Sequence, residues 1–304
     1  MPHDHNHGHH HHPDLDMGDK RVAAAVGVNF LLTIVQIIAG VISGSLALIA
    51  DAIHNLSDAL SLIIAFAARR IARKPADADM TFGYQRAEVV AALVNYTTLI
   101  VVAFYLAAQG VERLFNPVAV EGWIVVVVAG IALVIDTITA LLIFRLSKNS
   151  MNIRAAFLHN VADALGSVAV IVAGTLILLY DWRLIDPIVT LGISAYILWH
   201  AFLGIKPVIR VLMLGSPSAV SAQDVMARLE GDPAVVDVHH MHLWMMGEHD
   251  SSLDAHVVLR SFDQLEEVKI RLKSMLEAEF AIQHSVFEFE LPGAHCDEPR
   301  EIGC

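Results

Sequence analysis

Apolar runs long enough to cross a bilayer recur along the first two thirds of this chain and stop near residue 206. A run of about 20 such residues spans the hydrocarbon as a helix, the one open-ended form that satisfies its own backbone polar groups where water is absent. Helices are expected at 22–43, 46–71, 87–114, 123–146, 155–180 and 184–205, with Ser43-Gly44-Ser45 leaving almost no chain between the first two. The first run is too long for a signal peptide. Of the 304 residues, 56% are hydrophobic and 17% charged, with a mean hydropathy of +0.57, which points to surroundings of membrane lipid. A formal charge of −12 argues against nucleic acid as a partner.

Lysine and arginine set the orientation. Lys20, Arg21, Arg69, Arg70, Arg73, Lys74, Arg86, Arg145, Lys148, Arg154, Lys206 and Arg210 flank alternate ends of the runs, whereas the opposite ends carry only Arg113 and Arg183. Both termini are therefore expected in the cytoplasm. The second span then runs outward-to-inward and the fifth inward-to-outward, so the two can lie as antiparallel neighbours.

Those two spans carry the most costly residues. His54-Asn55-Leu56-Ser57-Asp58 and His159-Asn160-Val161-Ala162-Asp163 each continue with Ala-Leu, so the pattern H-N-x-x-D-A-L occurs twice. A spacing of four puts the histidine and aspartate of each copy on one helix face, one turn apart. Ionisable groups in a membrane span are expensive and usually functional. Together His54, Asp58, His159 and Asp163 offer two nitrogen and two oxygen ligands, a set suited to a tetrahedral divalent metal, zinc first. Zinc cancels the two carboxylate charges, and protons compete for the same lone pairs once it leaves, so metal–proton antiport follows from such a site. The bland reading, polar glue between spans, does not explain two matching quartets. His54 lies nearer the outer end of its run and His159 nearer the inner end, which calls for a fifth helix extending into the cytoplasm or for tilted helices.

Other intramembrane polar groups carry less. Asp51, one turn before His54, either orients that imidazole or solvates the outer mouth of the second span. Asp136 in the fourth span is an acid that needs a partner or a proton, a weak candidate for a relay or auxiliary site. Asn29, Gln36, Asn95 and Gln109 suit hydrogen bonds between helices.

Both ends of the chain change character. Residues 1–20 form a polar tail with His3, His5, His7 and His9 to His12 interleaved with Asp4, Asn6 and Gly8, a pattern that favours a native metal-collecting segment over a purification tag. The spans occupy 21–207, and a soluble domain is expected at 208–292, with a tail at 293–304 that holds both cysteines, Cys296 and Cys304. In that domain 223–231 reads as a helix, 235–244 and 253–259 as strands, 263–280 as an amphipathic helix and 285–291 as a strand. The fold class is thus an α-helical membrane protein with six transmembrane helices, followed by a cytosolic α+β domain of αββαβ order, ferredoxin-like in type.

The run from Ser45 through Asp58, then Thr81-Phe82-Gly83-Tyr84-Gln85-Arg86-Ala87-Glu88, Asn152 to His159, Asp163-Ala164-Leu165-Gly166-Ser167 and Val238-His239-His240-Met241-His242-Leu243-Trp244 resembles the cation diffusion facilitator family in its bacterial zinc-exporter branch. The resemblance extends from about residue 20 to 296. It implies a homodimer in the bacterial inner membrane, efflux of divalent metal driven by inward proton flow, and no enzymatic activity. Histidine rather than aspartate at the position of His54 implies a preference for zinc over cadmium or manganese. The resemblance also implies a regulatory cytosolic zinc site on His239, His256, His284 and Glu290, with His240, His242, His249, His295, Cys296 and Cys304 close by as weaker ligands. Tyr84 stands where some relatives carry a loop histidine, and Pro217-Ser218 where many have an acidic linker. No His-Glu-x-x-His motif supports a membrane metalloenzyme. A metal sensor remains as a second reading, and an exporter of wider range (Co²⁺, Cd²⁺, Ni²⁺) as a third.

Overall fold

A computed structural model of the chain describes residues 15–147, 151–247, 250–293 and 300–303. Within them lie six long helices, α1 (Leu15–Ser43), α2 (Leu46–Ala72), α3 (Ala87–Phe115), α4 (Gly122–Ser147), α5 (Met151–Tyr180) and α6 (Ile185–Leu212). They are followed by α7 (Ala222–Glu230), β1 (Val235–Met245), β2 (Ser251–Leu259), α8 (Leu265–Phe280) and β3 (Ile282–Glu290). Among the described residues four stretches are long and apolar enough to cross a membrane: Ala87–Phe115, Gly122–Leu141, Val161–Tyr180 and Ile185–Leu212. Shorter apolar stretches, Phe30–Ser43 and Leu46–Ser57, occupy α1 and α2. By its internal contacts the chain divides into two units, Met1–Leu62 with Leu99–Trp199, and Ile63–Thr98 with His200–Cys304.

In the first unit small residues let helices approach closely. A Cβ on Gly122 at the start of α4 would stand 2.6 Å from the carbonyl oxygen of Gly174 on α5, so glycine is what permits that contact. Around it Ala39, Ala47, Leu48, Val125, Val128, Ala129 and Val170 form a buried cluster drawn from α1, α2, α4 and α5. The α1–α2 connection is as tight as the sequence suggests, with Gly44 at φ +73°. An element not foreseen there is Asp186, buried in the first turn of α6. Its carboxylate accepts from Ser45 Oγ at 2.5 Å, from Leu46 N at 2.9 Å and from Ala47 N at 3.3 Å, while Ser45 Oγ accepts from Leu48 N at 3.1 Å. The first-turn N–H groups of α2, which no helix can satisfy internally, are thereby held by a residue 140 positions away from Leu46. Arg113 of α3 completes the arrangement: its NH1 lies 3.9 Å from Asp186 Oδ2 and donates to the Gly44 carbonyl.

In the second unit α6 does not end at 205 but continues through Pro207 to Leu212. Val208 and Val211, three apart on one face, pack against Val89 of α3 with Ala92, Leu93, Tyr96 and Met245 around them, and that burial sustains the last turns despite the missing proline N–H. The α+β part follows the expected αββαβ order. Its three strands lie in the order β1-β2-β3, with β1 antiparallel to β2 and β2 parallel to β3. Only the order of the elements matches the last five of the ferredoxin-like series: β2 and β3 pair directly in parallel, and among the described residues no strand precedes α7. Alternation along β2 turns Leu253, Ala255, Val257 and Leu259 into a core with Val225, Met226 and Leu229 of α7 and Val268, Leu272 and Leu276 of α8. Ser252, Asp254, His256 and Val258 consequently share the opposite face of that strand.

A forked ion pair ties the turn between α7 and β1 to α8. Arg271 donates to buried Asp232 through Nε at 2.6 Å and NH2 at 2.8 Å, and Asp232 also accepts from Ala234 N at 3.0 Å. The guanidinium holds the Asp232 carboxyl below the usual carboxylate range. A depressed folded value means stability that is complete above the ordinary carboxylate pKa of about 4 and lost as pH falls through the lower folded value. Replacing Arg271 by Met is therefore expected to destabilise the domain at pH 7, modestly because the arginine is half-exposed. Chemical melts of both forms should converge in strong acid; an equal gap at all pH values would contradict this account.

Candidate metal centres

Two contacts define how α2 meets α5. His54 Nε2 lies 3.2 Å from Asp163 Oδ1, and a Cβ on Gly166 would stand 3.1 Å from Asp51 Oδ1. Residue numbers rise along α2 as they fall along α5, so the two helices run antiparallel here. One turn further in the same register, positions 58 and 159 share a level; only the backbone of Asp58 and His159 is described. A spacing of i,i+4 puts two residues on one helix face. The contacting pair is well shielded, with side-chain exposures of 15% for His54 and 10% for Asp163. The ring of Tyr196 on α6 stands edge-on to His54 at 5.7 Å. At 30 residues, α5 is about 45 Å long, longer than the hydrocarbon layer.

The other polar groups of the first unit take supporting places. Asp51 Oδ2 accepts from Gln36 Nε2 of α1 at 2.9 Å, and Gln36 Oε1 accepts from Asn55 Nδ2 at 3.4 Å. This chain of bonds ties the face of α2 that carries Asp51 and Asn55 to α1. Asp136 Oδ2 accepts from Ser167 Oγ of α5 at 3.4 Å. In the loop after α2, Tyr84 donates its hydroxyl to Asp77 Oδ2 at 2.8 Å, and Asp77 Oδ1 accepts the Asp79 and Met80 N–H groups.

On the face of the sheet opposite α7 and α8 a second cluster gathers. The register pairs His239 with His256 across β1 and β2, and Val258 with Glu290 across β2 and β3. One ligand atom from each of His239, His256 and Glu290 lies within 4.8 Å of the others. His256 Nδ1 is 2.6 Å from Glu290 Oε1, and His239 Nε2 is 3.5 Å from Glu290 Oε2. Flanking acids are Asp237, 3.1 Å from His239 Nδ1, and Glu288, 3.3 Å from His256 Nε2. His239 is 2% exposed. Two imidazoles and a carboxylate at this spacing form three ligands for a zinc-like ion.

His284 stands apart. It pairs with Ser252, and at about 3.3 Å per residue it lies roughly 13 Å along β3 from Glu288; it lines the edge of a cleft with Asp250, Gln283 and Gln85 instead. His242 Nδ1 pairs with Asp254 Oδ1 at 2.8 Å, outside the cluster. The imidazole of His240 lies beside it, 5.3 Å from that of His239 and 5.1 Å from that of His256. His249, His295, Cys296, Cys304 and the N-terminal histidines lie outside the described residues.

Comparison with known proteins agrees with both parts of the chain. The family model for the cation efflux transmembrane domain matches residues 22–213, and that for the cation efflux protein cytoplasmic domain matches residues 217–290. The chain belongs to the cation efflux family. Among relatives of this family, the metal cation efflux system protein CzcD of Cupriavidus metallidurans is 35% identical over 279 residues, covering 91% of this chain and 87% of the relative. The cadmium, cobalt and zinc/H⁺-K⁺ antiporter of Bacillus subtilis is 34% identical over 230 residues, 74% of this chain and 73% of its own. The zinc transporter ZitB of Pectobacterium atrosepticum is 35% identical over 284 residues, 92% and 87% respectively. Cation efflux proteins are metal transporters rather than enzymes, and the chain is an integral membrane member with a C-terminal α/β domain.

Of the residues that hold the start of α2 in this cation efflux protein, Asp186 went unremarked in the sequence, while Ser45 and Arg113 stood out only as part of a motif and as a flanking cation. Asp186 resembles an ordinary helix-start acid, and nothing local shows that its carboxylate caps another helix. Its signal was Ser45 directly before the apolar run of α2, an N-cap residue type.

Proposed function

We propose that the chain exports Zn²⁺ in exchange for protons, carrying the ion on His54, Asp58, His159 and Asp163 between α2 and α5. The observation that carries this reading is the shielded approach of His54 Nε2 to Asp163 Oδ1 at 3.2 Å across those helices, at the register where each copy of the repeated motif faces the other. Two carboxylates offset the charge of zinc, and two neutral imidazoles complete a tetrahedral set. Protons entering the same lone pairs oppose metal binding, so a site that opens alternately to either side exchanges one for the other. The names of the CzcD, ZitB and Bacillus relatives, which speak of efflux, zinc transport and antiport, support this choice.

The wider reading has six spans with both termini cytoplasmic in a bacterial inner membrane, and a homodimer joined through the domain at 208–292. The spans are assigned to 21–207, and the histidine-rich segment at 1–20 collects zinc at the inner mouth. Zinc bound at His239, His256 and Glu290 regulates transport. The test is zinc uptake into inverted proteoliposomes with an imposed pH gradient. Acidic-inside vesicles should accumulate zinc several-fold faster than vesicles without a gradient, and collapsing the gradient should remove the difference. Zinc flux indifferent to the gradient would refute proton exchange, and no flux of zinc, cadmium, cobalt or nickel would leave the sensor reading.

A further inference from the structure

The geometry points to His240 as the fourth ligand of the cytosolic metal site, held over it by the C-terminal segment of the chain; this rests on the reading of His239, His256 and Glu290 as that site. Between His239 and His242 the β1–β2 register shifts, and His240 takes a left-handed conformation with φ +48°. That conformation is uncommon for a non-glycine residue and persists only where surroundings impose it. What imposes it is the strap formed by Arg300 to Gly303. His240 N donates to the Arg300 carbonyl at 2.8 Å, Met241 N to the Glu301 carbonyl at 3.2 Å, and Gly303 N to the Met241 carbonyl at 3.2 Å. Met241 and Ile302 form a parallel bridge, so the strap pairs with the outer edge of β1 at the bulge.

The bulge delivers a third imidazole to the cluster. The ring centres of His239, His240 and His256 form a nearly equilateral triangle with sides of 5.3, 5.1 and 5.3 Å. Zinc bonds imidazole nitrogen at about 2.0–2.1 Å, which puts each ring centre about 3.2 Å from the metal and two ring centres about 5.2 Å apart at the tetrahedral angle. The triangle therefore has the size of three imidazoles around one zinc, with Glu290 as fourth ligand from β3. The nitrogens of His240 are not among those within 4.8 Å, so binding requires its ring to turn about the side-chain bonds while the backbone stays held. Two further observations point inward: His239 Nε2 and Glu290 Oε2 are buried, face each other at 3.5 Å and make no hydrogen bond. With His240 the site is a closed set of three nitrogens and one oxygen; without it, three ligands and a water.

The test uses the full chain in detergent, with residues 2–12 deleted and Asp58→Asn and His159→Gln disabling the transport site, loaded with one zinc per chain. X-ray absorption at the zinc edge should count three imidazoles and no sulfur. His240→Asn, chosen because asparagine tolerates positive φ, should reduce the count to two and weaken zinc binding at least tenfold. Deleting residues 300–304 should weaken binding by about tenfold in the parent and add nothing to His240→Asn, the coupling expected if the strap acts through that residue. An unchanged count and affinity in His240→Asn, alongside zinc loss in His239→Gln, would overturn the assignment of His240 and leave the site standing. No zinc loss in His239→Gln would instead refute the site itself. Sulfur at about 2.3 Å would give the fourth position to a thiol and overturn the proposal, and an additive effect of the deletion on His240→Asn would overturn the role of the strap.

Discussion

Replacing Asp163 by alanine is expected to abolish zinc flux, lowering it at least 100-fold in proteoliposomes, with expression and thermal stability nearly unchanged. The same is expected of Asp58→Ala and His159→Ala. Asp163 stands 3.2 Å from His54 in a shielded position, and its removal leaves zinc with a net positive charge inside the membrane and one ligand short. Even residues that only support metal ligands cost about 10–100-fold when removed, so loss of a ligand should exceed that. The carboxylate contributes little to folding, because a buried charge without its metal is an expense rather than a gain. Near-normal flux in any of these variants would remove the residue from the transport site. His54→Asp offers a contrast: it keeps four ligands but trades a nitrogen for a charged oxygen, so binding should persist with selectivity broadened towards cadmium. An unchanged zinc-to-cadmium ratio would count against His54 as a ligand.

The second large effect is on stability. Asp186→Leu is expected to lower stability by about 3–5 kcal/mol, the range for breaking a buried charged pair by removing one partner. The carboxylate is 1% exposed and receives Ser45 Oγ, Leu46 N and Ala47 N; leucine would leave those donors buried and unmet, at about 1–3 kcal/mol for an unsatisfied group. Arg113 would also lose its counter-charge. Asp186→Asn retains one acceptor oxygen and should fall between the two. Thermal melting in detergent, followed by the helical signal, measures the order. A leucine variant as stable as the parent would show that α2 needs no cap from α6.

Much of the architecture was legible because it depends on local rules. The long helices follow from apolar length, and α7, α8 and the strands from periods of 3.6 and 2 residues. Leu253, Ala255, Val257 and Leu259 announce the core face of β2 by alternation alone. Likewise His54 with Asp58, and His159 with Asp163, declare their shared helix faces by a spacing of four, and charge asymmetry supplies the antiparallel sense of α2 and α5 that the His54–Asp163 contact requires. The end of α6 was less legible, since Pro207 signals a stop that packing on Val89 overrides.

What the sequence by itself determined is therefore the type and order of the elements and the repeated His-Asn-x-x-Asp motif, all set by relations within a few residues. Tertiary structure alone decided which distant groups meet. Strand register, a shift of one residue in which changes every face, brought His239 to His256 and Glu290 and carried His284 away along β3. Helix packing aimed Asp186 at the start of α2 and Gln36 at Asp51. A bulge and three main-chain hydrogen bonds set the ring of His240 beside the other two. Such pairings depend on directional bonds between segments far apart in the chain, and no local period encodes them.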